Sequence, residues 1–156
     1  MPTHTTEPQS PSARRVDQLL AHYGTSHQHP TNERIHYTAI PLIMLSLLGM
    51  MYAASPWLAY AFLAASLVYY LRLGSPRFTG TMAVLSLAML AVIVLLAQAG
   101  ILLAASVAVF VVAWVFQFIG HKIEGKKPSF LEDIQYLWVG PLFVLSKLFL
   151  KLGWRW

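Results

Sequence analysis

The histidines are the residues of this chain that can take part in the most kinds of chemistry, and they are unevenly distributed along the sequence. Five of the six flank apolar segments long enough to cross a membrane: His22, His27, His29, His36 and His121. Imidazole is a common protein ligand for iron, zinc, copper and nickel. If folding brings the two groups of histidines together at one membrane surface, the sequence predicts a metal site.

The N-terminal histidines can meet only if the chain bends between them. On one uninterrupted helix His27 and His36 would differ by about 900° and lie on opposite faces. Pro30 argues against such a helix, because a proline disfavours helical geometry at the residue before it. Asn32, four residues before His36, would share its helix face and could orient its imidazole. The alternative is a set of solvated histidines beside a basic segment.

A second polar group stands at the C-terminal end of an apolar helix. Gln117, His121 and Glu124 are spaced so that they fall on one stripe of this helix. A polar stripe there usually faces protein or water and is a functional candidate. The alternative is a membrane-boundary cap in which Glu124 pairs with a lysine. The carboxylates near the histidines are Glu33, Glu124, Glu132 and Asp133.

The residues leave the ligand set open. One carboxylate with two histidines would make the open triad of non-haem Fe(II) oxygenases, and an all-histidine shell backed by carboxylates is equally allowed. There is no cysteine, no Gly-rich phosphate loop, no G-x-S-x-G elbow and no H-E-x-x-H. The clustered histidine boxes of membrane desaturases are also absent. His22 and His29 are expected to be surface histidines or hydrogen-bonding supports.

Membrane helices must position these residues. Of 156 residues, 57% are hydrophobic and 11% charged, whereas soluble domains have about 25% charged residues. The apolar residues run in blocks of about 15 to 20, the length that spans a bilayer core. We expect an all-α integral membrane protein, a compact bundle of four to five membrane helices with an N-terminal amphipathic helix. The expected apolar segments are 39–54, 57–73, 81–97, 101–119 and 134–150.

Composition also sets the domain boundaries. Residues 1–15 are polar and rich in Pro, Ser and Thr, so we expect a disordered tail and no signal peptide. We expect residues 16–156 to form a single membrane domain. The net charge of +5 indicates membrane topology and not nucleic-acid binding, because the basic residues lie between apolar blocks.

The basic residues predict the orientation. If the N-terminus is cytoplasmic and the first four blocks span, one side receives Arg14, Arg15, Arg34, Arg72, Arg77, Lys122, Lys126 and Lys127. The opposite connectors, at 55–56 and 98–100, carry no charge, which satisfies the positive-inside rule. The three histidines His27, His36 and His121 then share one membrane face.

The fifth block follows a different pattern. Pro141 lies within it, and spanning would place Lys151 and Arg155 on the disfavoured side. We therefore expect an interfacial or partly inserted segment.

Two stretches resemble the signatures of one family. The N-terminal signature of the Mpo1-like family is similar to two stretches of this chain. These are Tyr-Gly-Thr-Ser-His-Gln-His-Pro-Thr-Asn-Glu-Arg-Ile-His at 23–36 and Ile-Pro at 40–41. The C-terminal signature of the same family is similar to residues 117–121, 124–129, 133 and 140–142. The likeness covers about residues 16–150, in the same order and with similar apolar spacing.

The resemblance implies a membrane-embedded Fe(II) dioxygenase that cleaves the C1–C2 bond of 2-hydroxy long-chain fatty acids with O2, giving CO2 and an acid one carbon shorter. By motif match it implies the iron ligands His27, His36 and His121. Implied supports or further ligands are Asn32, Gln117, Glu124 and Asp133. The acyl tail would lie between membrane helices. Basic residues that could attract the carboxylate are Arg34, Lys122, Lys126 and Lys127.

Other functions stay open at this point. A non-enzymatic membrane protein could bind a metal or haem through the same histidines. A small transporter is disfavoured, because the first four blocks carry no ionisable residue near their middle. The short chain without a targeting segment predicts a bacterial inner membrane, with an endoplasmic reticulum as the eukaryotic alternative. The sequence does not specify the oligomeric state.

Overall fold

The protein is described by a computed structural model over residues 14–128 and 134–156, and the regular structure in these residues is helical. The helices are α1 (Arg15–Gly24), α2 (Pro30–Ala54), α3 (Pro56–Arg72), α4 (Pro76–Gln98), α5 (Leu102–Glu124) and α6 (Tyr136–Lys151). The expected all-α fold with a short N-terminal helix is confirmed. Most of the predicted tail, residues 1–13, lies outside the described residues.

Three helices are long and apolar enough to cross a membrane, namely α2, α4 and α5. The other two apolar helices are shorter, with 17 residues in α3 and 16 in α6. At 1.5 Å per residue these extend about 25 Å, less than a bilayer core of about 30 Å.

Pro30 begins a helix, which separates the two N-terminal histidines. It occupies the first turn of α2, where a missing backbone N–H costs nothing. The His29 side chain caps this helix by accepting a hydrogen bond from the Thr31 amide, at 3.2 Å. His27 therefore lies in the connector between α1 and α2, and His36 lies in α2.

Consecutive helices from α2 to α5 are joined by one to three residues and pack against each other in sequence. They therefore run alternately in opposite directions. One end of this bundle, here called the basic end, holds the start of α2, the end of α3, the start of α4 and the end of α5. It carries Arg34, Arg72, Arg77, Lys122, Lys126 and Lys127.

The most extensive helix contact joins α2 to α5. Two glycines allow the close approach. A Cβ on Gly49 would collide with the Ser106 hydroxyl, and a Cβ on Gly120 would collide with the Asn32 amide oxygen. The second contact matters for function, because it brings the start of α2 against the end of α5.

Helix α6 lies across the basic end. Near its start, Trp138 Nε1 donates to Ser66 Oγ at 2.8 Å, less than two turns before the end of α3. Near its end, Lys147 pairs with Glu33 at 2.9 Å in the first turns of α2. Both ends of α6 thus contact the basic end, and α1 packs along it. The interfacial or partly inserted position of this segment stays a prediction.

The position of α6 also accounts for its basic residues. The Lys151 ammonium lies 5.5 Å from the centroid of the Tyr37 ring in α2. The Arg155 carbonyl accepts a hydrogen bond from Arg77 at the start of α4. Both cations therefore stand at the basic end, with the other basic residues.

Candidate metal centre

Three histidines converge at the basic end. His27, His36 and His121 are buried, with 3%, 0% and 4% of their surface exposed. One ring nitrogen of each lies within 4.8 Å of those of the other two. The Nε2 atoms of His36 and His121 are 3.1 Å apart. Two nitrogen ligands about 2.1 Å from one metal, at a right angle, would be about 3.0 Å apart. The spacing therefore suits adjacent positions on one ion.

Two of the rings are oriented by main-chain carbonyls one helical turn earlier. His27 Nδ1 donates to the Tyr23 carbonyl at 2.7 Å, and His36 Nδ1 donates to the Asn32 carbonyl at 2.8 Å. A carbonyl only accepts, so the ring proton is on Nδ1 and Nε2 keeps its lone pair. Metal-bound histidines usually have such a partner. The His27 Nε2 is buried without a hydrogen bond among the described residues, and a metal would satisfy it.

Burial keeps His27 in its metal-binding form. Removal from water lowers the pKa of the His27 imidazole to about 4, because it penalises the charged ring more than the hydrogen bond to Tyr23 favours it. The ring is therefore neutral at physiological pH, as a metal ligand must be.

Both carboxylate oxygens of Glu124 hold the connector that carries His27. Oε1 accepts from the Gln28 amide at 3.0 Å, and Oε2 accepts from the His29 amide at 2.7 Å. Oε2 also accepts from Asn32 Nδ2 at 3.2 Å. These bonds fasten the connector to the end of α5. Among the described residues, the group able to hold a metal contains three histidines and no carboxylate.

Asn32 supports His36 through its backbone. Its main-chain carbonyl, and not its side chain, accepts the hydrogen bond from the imidazole. The side-chain Nδ2 donates to the Ser26 carbonyl at 3.2 Å as well as to Glu124. Asn32 is fully buried and its Oδ1 lies in the space left by Gly120. One residue thus links α2, the connector and α5.

Gln117 and His121 border a small cavity between α1, α2, α5 and α6. The cavity has a volume of about 40 Å³ and is otherwise walled mostly by apolar side chains. Gln117 is buried, and its Oε1 makes no hydrogen bond among the described residues. A buried amide oxygen without a partner is costly, so it is available to a molecule that enters the cavity.

The sequence patterns gave no reason to expect a role for Tyr23, yet it makes several contacts at the candidate metal centre. Its carbonyl holds His27, and its ring stacks on the imidazole with centroids 4.1 Å apart. The same ring borders the cavity beside His121. The signal in the sequence is the four-residue spacing of Tyr23 and His27 across the end of α1, which places them on one side.

The basic residues expected near the substrate carboxylate are exposed at the basic end. Arg34 lines an outer groove between α2 and α5, whose walls include none of the three histidines. Lys126 donates to a carbonyl of the connector. Lys122 and Lys127 are exposed. Asp133 lies outside the described residues.

The remaining interfacial histidines are at the surface. His22 is exposed and stacks on Tyr136, with ring centroids 5.1 Å apart. His29 is exposed and caps α2. Neither belongs to the group of ligand atoms around His36.

Comparison with known proteins identifies the family. The family model described as 2-hydroxy-palmitic acid dioxygenase Mpo1-like matches residues 13–152, which include all three buried histidines. The chain belongs to the Mpo1-like family. It is similar to the 2-hydroxy-palmitic acid dioxygenase MPO1 of Saccharomyces cerevisiae, with 26% identity over 140 residues that cover 86% of this chain and 79% of the yeast protein. No solved structure matches.

Proposed function

We propose that this protein is a non-haem Fe(II) dioxygenase that shortens 2-hydroxy fatty acids by one carbon. The observation that carries the proposal is the convergence of three buried imidazoles, with ring nitrogens within 4.8 Å of one another. Membership in the Mpo1-like family, and likeness to a protein named for 2-hydroxy-palmitic acid, support the substrate class.

The proposed reaction balances with O2 alone. One 2-hydroxy acid and one O2 give an acid one carbon shorter, CO2 and water. The C1–C2 bond breaks, C1 leaves as CO2, and C2 becomes the new carboxyl carbon. C1 and C2 together lose the electrons that O2 takes up, so no further reductant is required. Bound iron would supply the redox chemistry and open coordination positions.

The roles proposed for the protein residues follow from their contacts. His27, His36 and His121 would hold the iron, and Glu124 and Asn32 would hold the histidines in place.

The cavity beside His121 would receive the polar end of the substrate. Gln117 offers an unpaired amide oxygen there, which could accept a hydrogen bond from the substrate hydroxyl. Tyr23 offers a phenol that stays neutral because burial raises its pKa, and it could donate to the substrate carboxylate. Asp133 stays a candidate for a support or a further ligand.

The exposed cations would act at longer range. Arg34, Lys122, Lys126 and Lys127 place positive charge around the basic end, which would concentrate an anionic substrate there. We propose that this end faces the cytoplasm of a bacterial inner membrane, or the cytosol at an endoplasmic reticulum.

Geometry disfavours haem as the bound group. A haem iron with two histidine ligands holds them on opposite faces of the macrocycle. Here the Nε2 atoms of His36 and His121 are 3.1 Å apart, the separation of adjacent ligands.

Metal analysis and oxygen uptake test the proposal together. Protein purified without O2 and loaded with Fe(II) is expected to hold one iron without haem absorbance, and to consume O2 when given a 2-hydroxy long-chain acid. The product should be the acid one carbon shorter. His121→Ala should lose both the iron and the oxygen uptake.

His22→Ala is the matched control, because His22 is exposed and outside the buried group. It should keep both properties. Full turnover in His121→Ala would refute the assignment of the site. Haem or zinc without oxygen uptake would instead favour a non-enzymatic metal-binding protein.

A further inference from the structure

Two small cavities lead from the histidines into the bundle. The first is the cavity beside His121 and Gln117. The second, also about 40 Å³, lies between α2, α3, α4 and α6. Ile43, Met44 and Leu137 border both. The two spaces therefore adjoin each other, and together they form an interrupted passage.

The walls of this passage include flexible side chains. The second cavity is mostly apolar, and three methionines border it: Met44, Met82 and Met89. Methionine is unbranched and fills irregular space in several rotamers. A cavity of about 40 Å³ holds little more than a water molecule or two, so a longer guest enters only when these side chains re-pack.

The inner part of the passage lies against a second buried cluster. Leu48 and Phe62 border its inner part, and they pack into a buried cluster that includes Ile93. His36 and Leu48 are twelve residues apart on α2, so the passage reaches about 18 Å from the histidines along the helix axis. Half of a bilayer core, the depth that one lipid chain covers, is about 15 Å.

We propose that the acyl chain of the substrate occupies this passage, and that Phe62, Ser86 and Met89 at its inner wall limit the chain length. The inference rests on the proposed function, because the polar end held at the histidines directs the chain inwards. A chain leaving the membrane for this passage exchanges one apolar surrounding for another. The passage therefore provides selection by length more than affinity.

The outer groove beside Arg34 is the competing place for the chain. It is larger, about 390 Å³, and Leu42, Val112 and Phe116 line its apolar part. None of the three histidines borders it. The inner passage, in contrast, begins beside His121, so we assign the chain to it.

Photolabelling locates the chain without requiring turnover. The probe is a sixteen-carbon 2-hydroxy acid, the length in the yeast protein's name, with a diazirine on the last carbon. With O2 excluded, the expected labels are on Phe62, Ser86 or Met89. Labels on Leu42, Val112 or Phe116, or labels spread over other lipid-facing residues, would overturn the inference.

The two hypotheses fail in different ways. Oxygen uptake with labels in the outer groove would refute the passage and leave the dioxygenase standing. Inner labels in a protein that never consumes O2 would refute the dioxygenase and leave a passage that binds fatty acids.

Filling the passage tests the length limit. Ser86 is buried on α4 and borders the inner cavity, whereas the next residue, Leu87, is 67% exposed. Ser86→Phe should lower turnover of the sixteen-carbon acid by about tenfold or more and spare the eight-carbon acid, with iron content unchanged. Leu87→Phe should affect neither acid. Equal losses for both chain lengths in Ser86→Phe, or no loss for either, would contradict the proposal.

Discussion

At the scale of single residues, the candidate centre depends on hydrogen bonds that fix where each imidazole points. His27 and His36 use Nδ1 to bond a main-chain carbonyl, which leaves Nε2 for a metal. The carbonyl is the one four residues earlier in each case, so the geometry is set locally. Glu124 holds His27 near the other two rings, because it joins the connector to α5.

The role of Glu124 gives a first prediction. Glu124→Ala removes the acceptor for two backbone amides and for the Asn32 side chain. The connector should then hold His27 less firmly, and Fe(II) affinity should fall about 10- to 100-fold, as measured by chelator competition. The helical content should be unchanged by circular dichroism.

Glu33→Ala is the control for that variant. Glu33 is also at the basic end, but it pairs with Lys147 on α6 and is outside the histidine group. Its Fe(II) affinity should match the wild type. Equal affinity in Glu124→Ala would show that the carboxylate does not position the site.

At the scale of elements, contact between α2 and α5 sets the distance between His36 and His121. Gly120→Ala would press a methyl group into the Asn32 amide oxygen. We expect the free energy of unfolding to fall by about 1–3 kcal/mol, as measured by thermal unfolding in detergent. Fe(II) binding should also be weaker.

Substitutions at two other glycines serve as controls that distinguish an effect on stability from an effect on Fe(II) binding. Gly49→Ala meets Ser106 at the far end of the same helix pair, so it should destabilise the protein without changing Fe(II) affinity. Gly80→Ala, on α4, meets nothing within 4 Å and should be neutral or stabilising by up to about 1 kcal/mol. The explanation fails if Gly120→Ala behaves like Gly80→Ala.

At the scale of the whole molecule, the basic end and the histidines coincide. The position of α6 returns Lys147, Lys151 and Arg155 to this end, so the charge asymmetry extends to the last helix. Helix α6 also covers one side of the histidine group, since Phe143 lies 5.4 Å from His27 between ring centroids.

Thiol labelling tests this arrangement, because the chain has no cysteine of its own. Lys127→Cys and Leu152→Cys should react with a membrane-impermeant reagent only after spheroplasts are opened, since both belong to the proposed cytoplasmic side. Ala99→Cys should react before opening. All three positions are exposed. Labelling of Leu152→Cys together with Ala99→Cys would mean that α6 crosses the membrane.

The sequence by itself determined the helical class, the separation of His27 from His36 at Pro30, and the common end for the three histidines. These follow from local geometry and from the positions of charges between apolar blocks, which a single sequence records directly. The motif match added the family, and comparison with the family model confirmed it.

Only the tertiary structure decided how the groups are used. It assigned Glu124 to the connector, placed Arg34 in an outer groove, and showed that the Tyr23 ring stacks on His27. These facts depend on which helix faces pack together, and in α2 to α5 nearly every face is apolar, so periodicity carries little information. Side-chain size decides instead: Gly120 admits Asn32, and that contact brings His36 and His121 to 3.1 Å between Nε2 atoms.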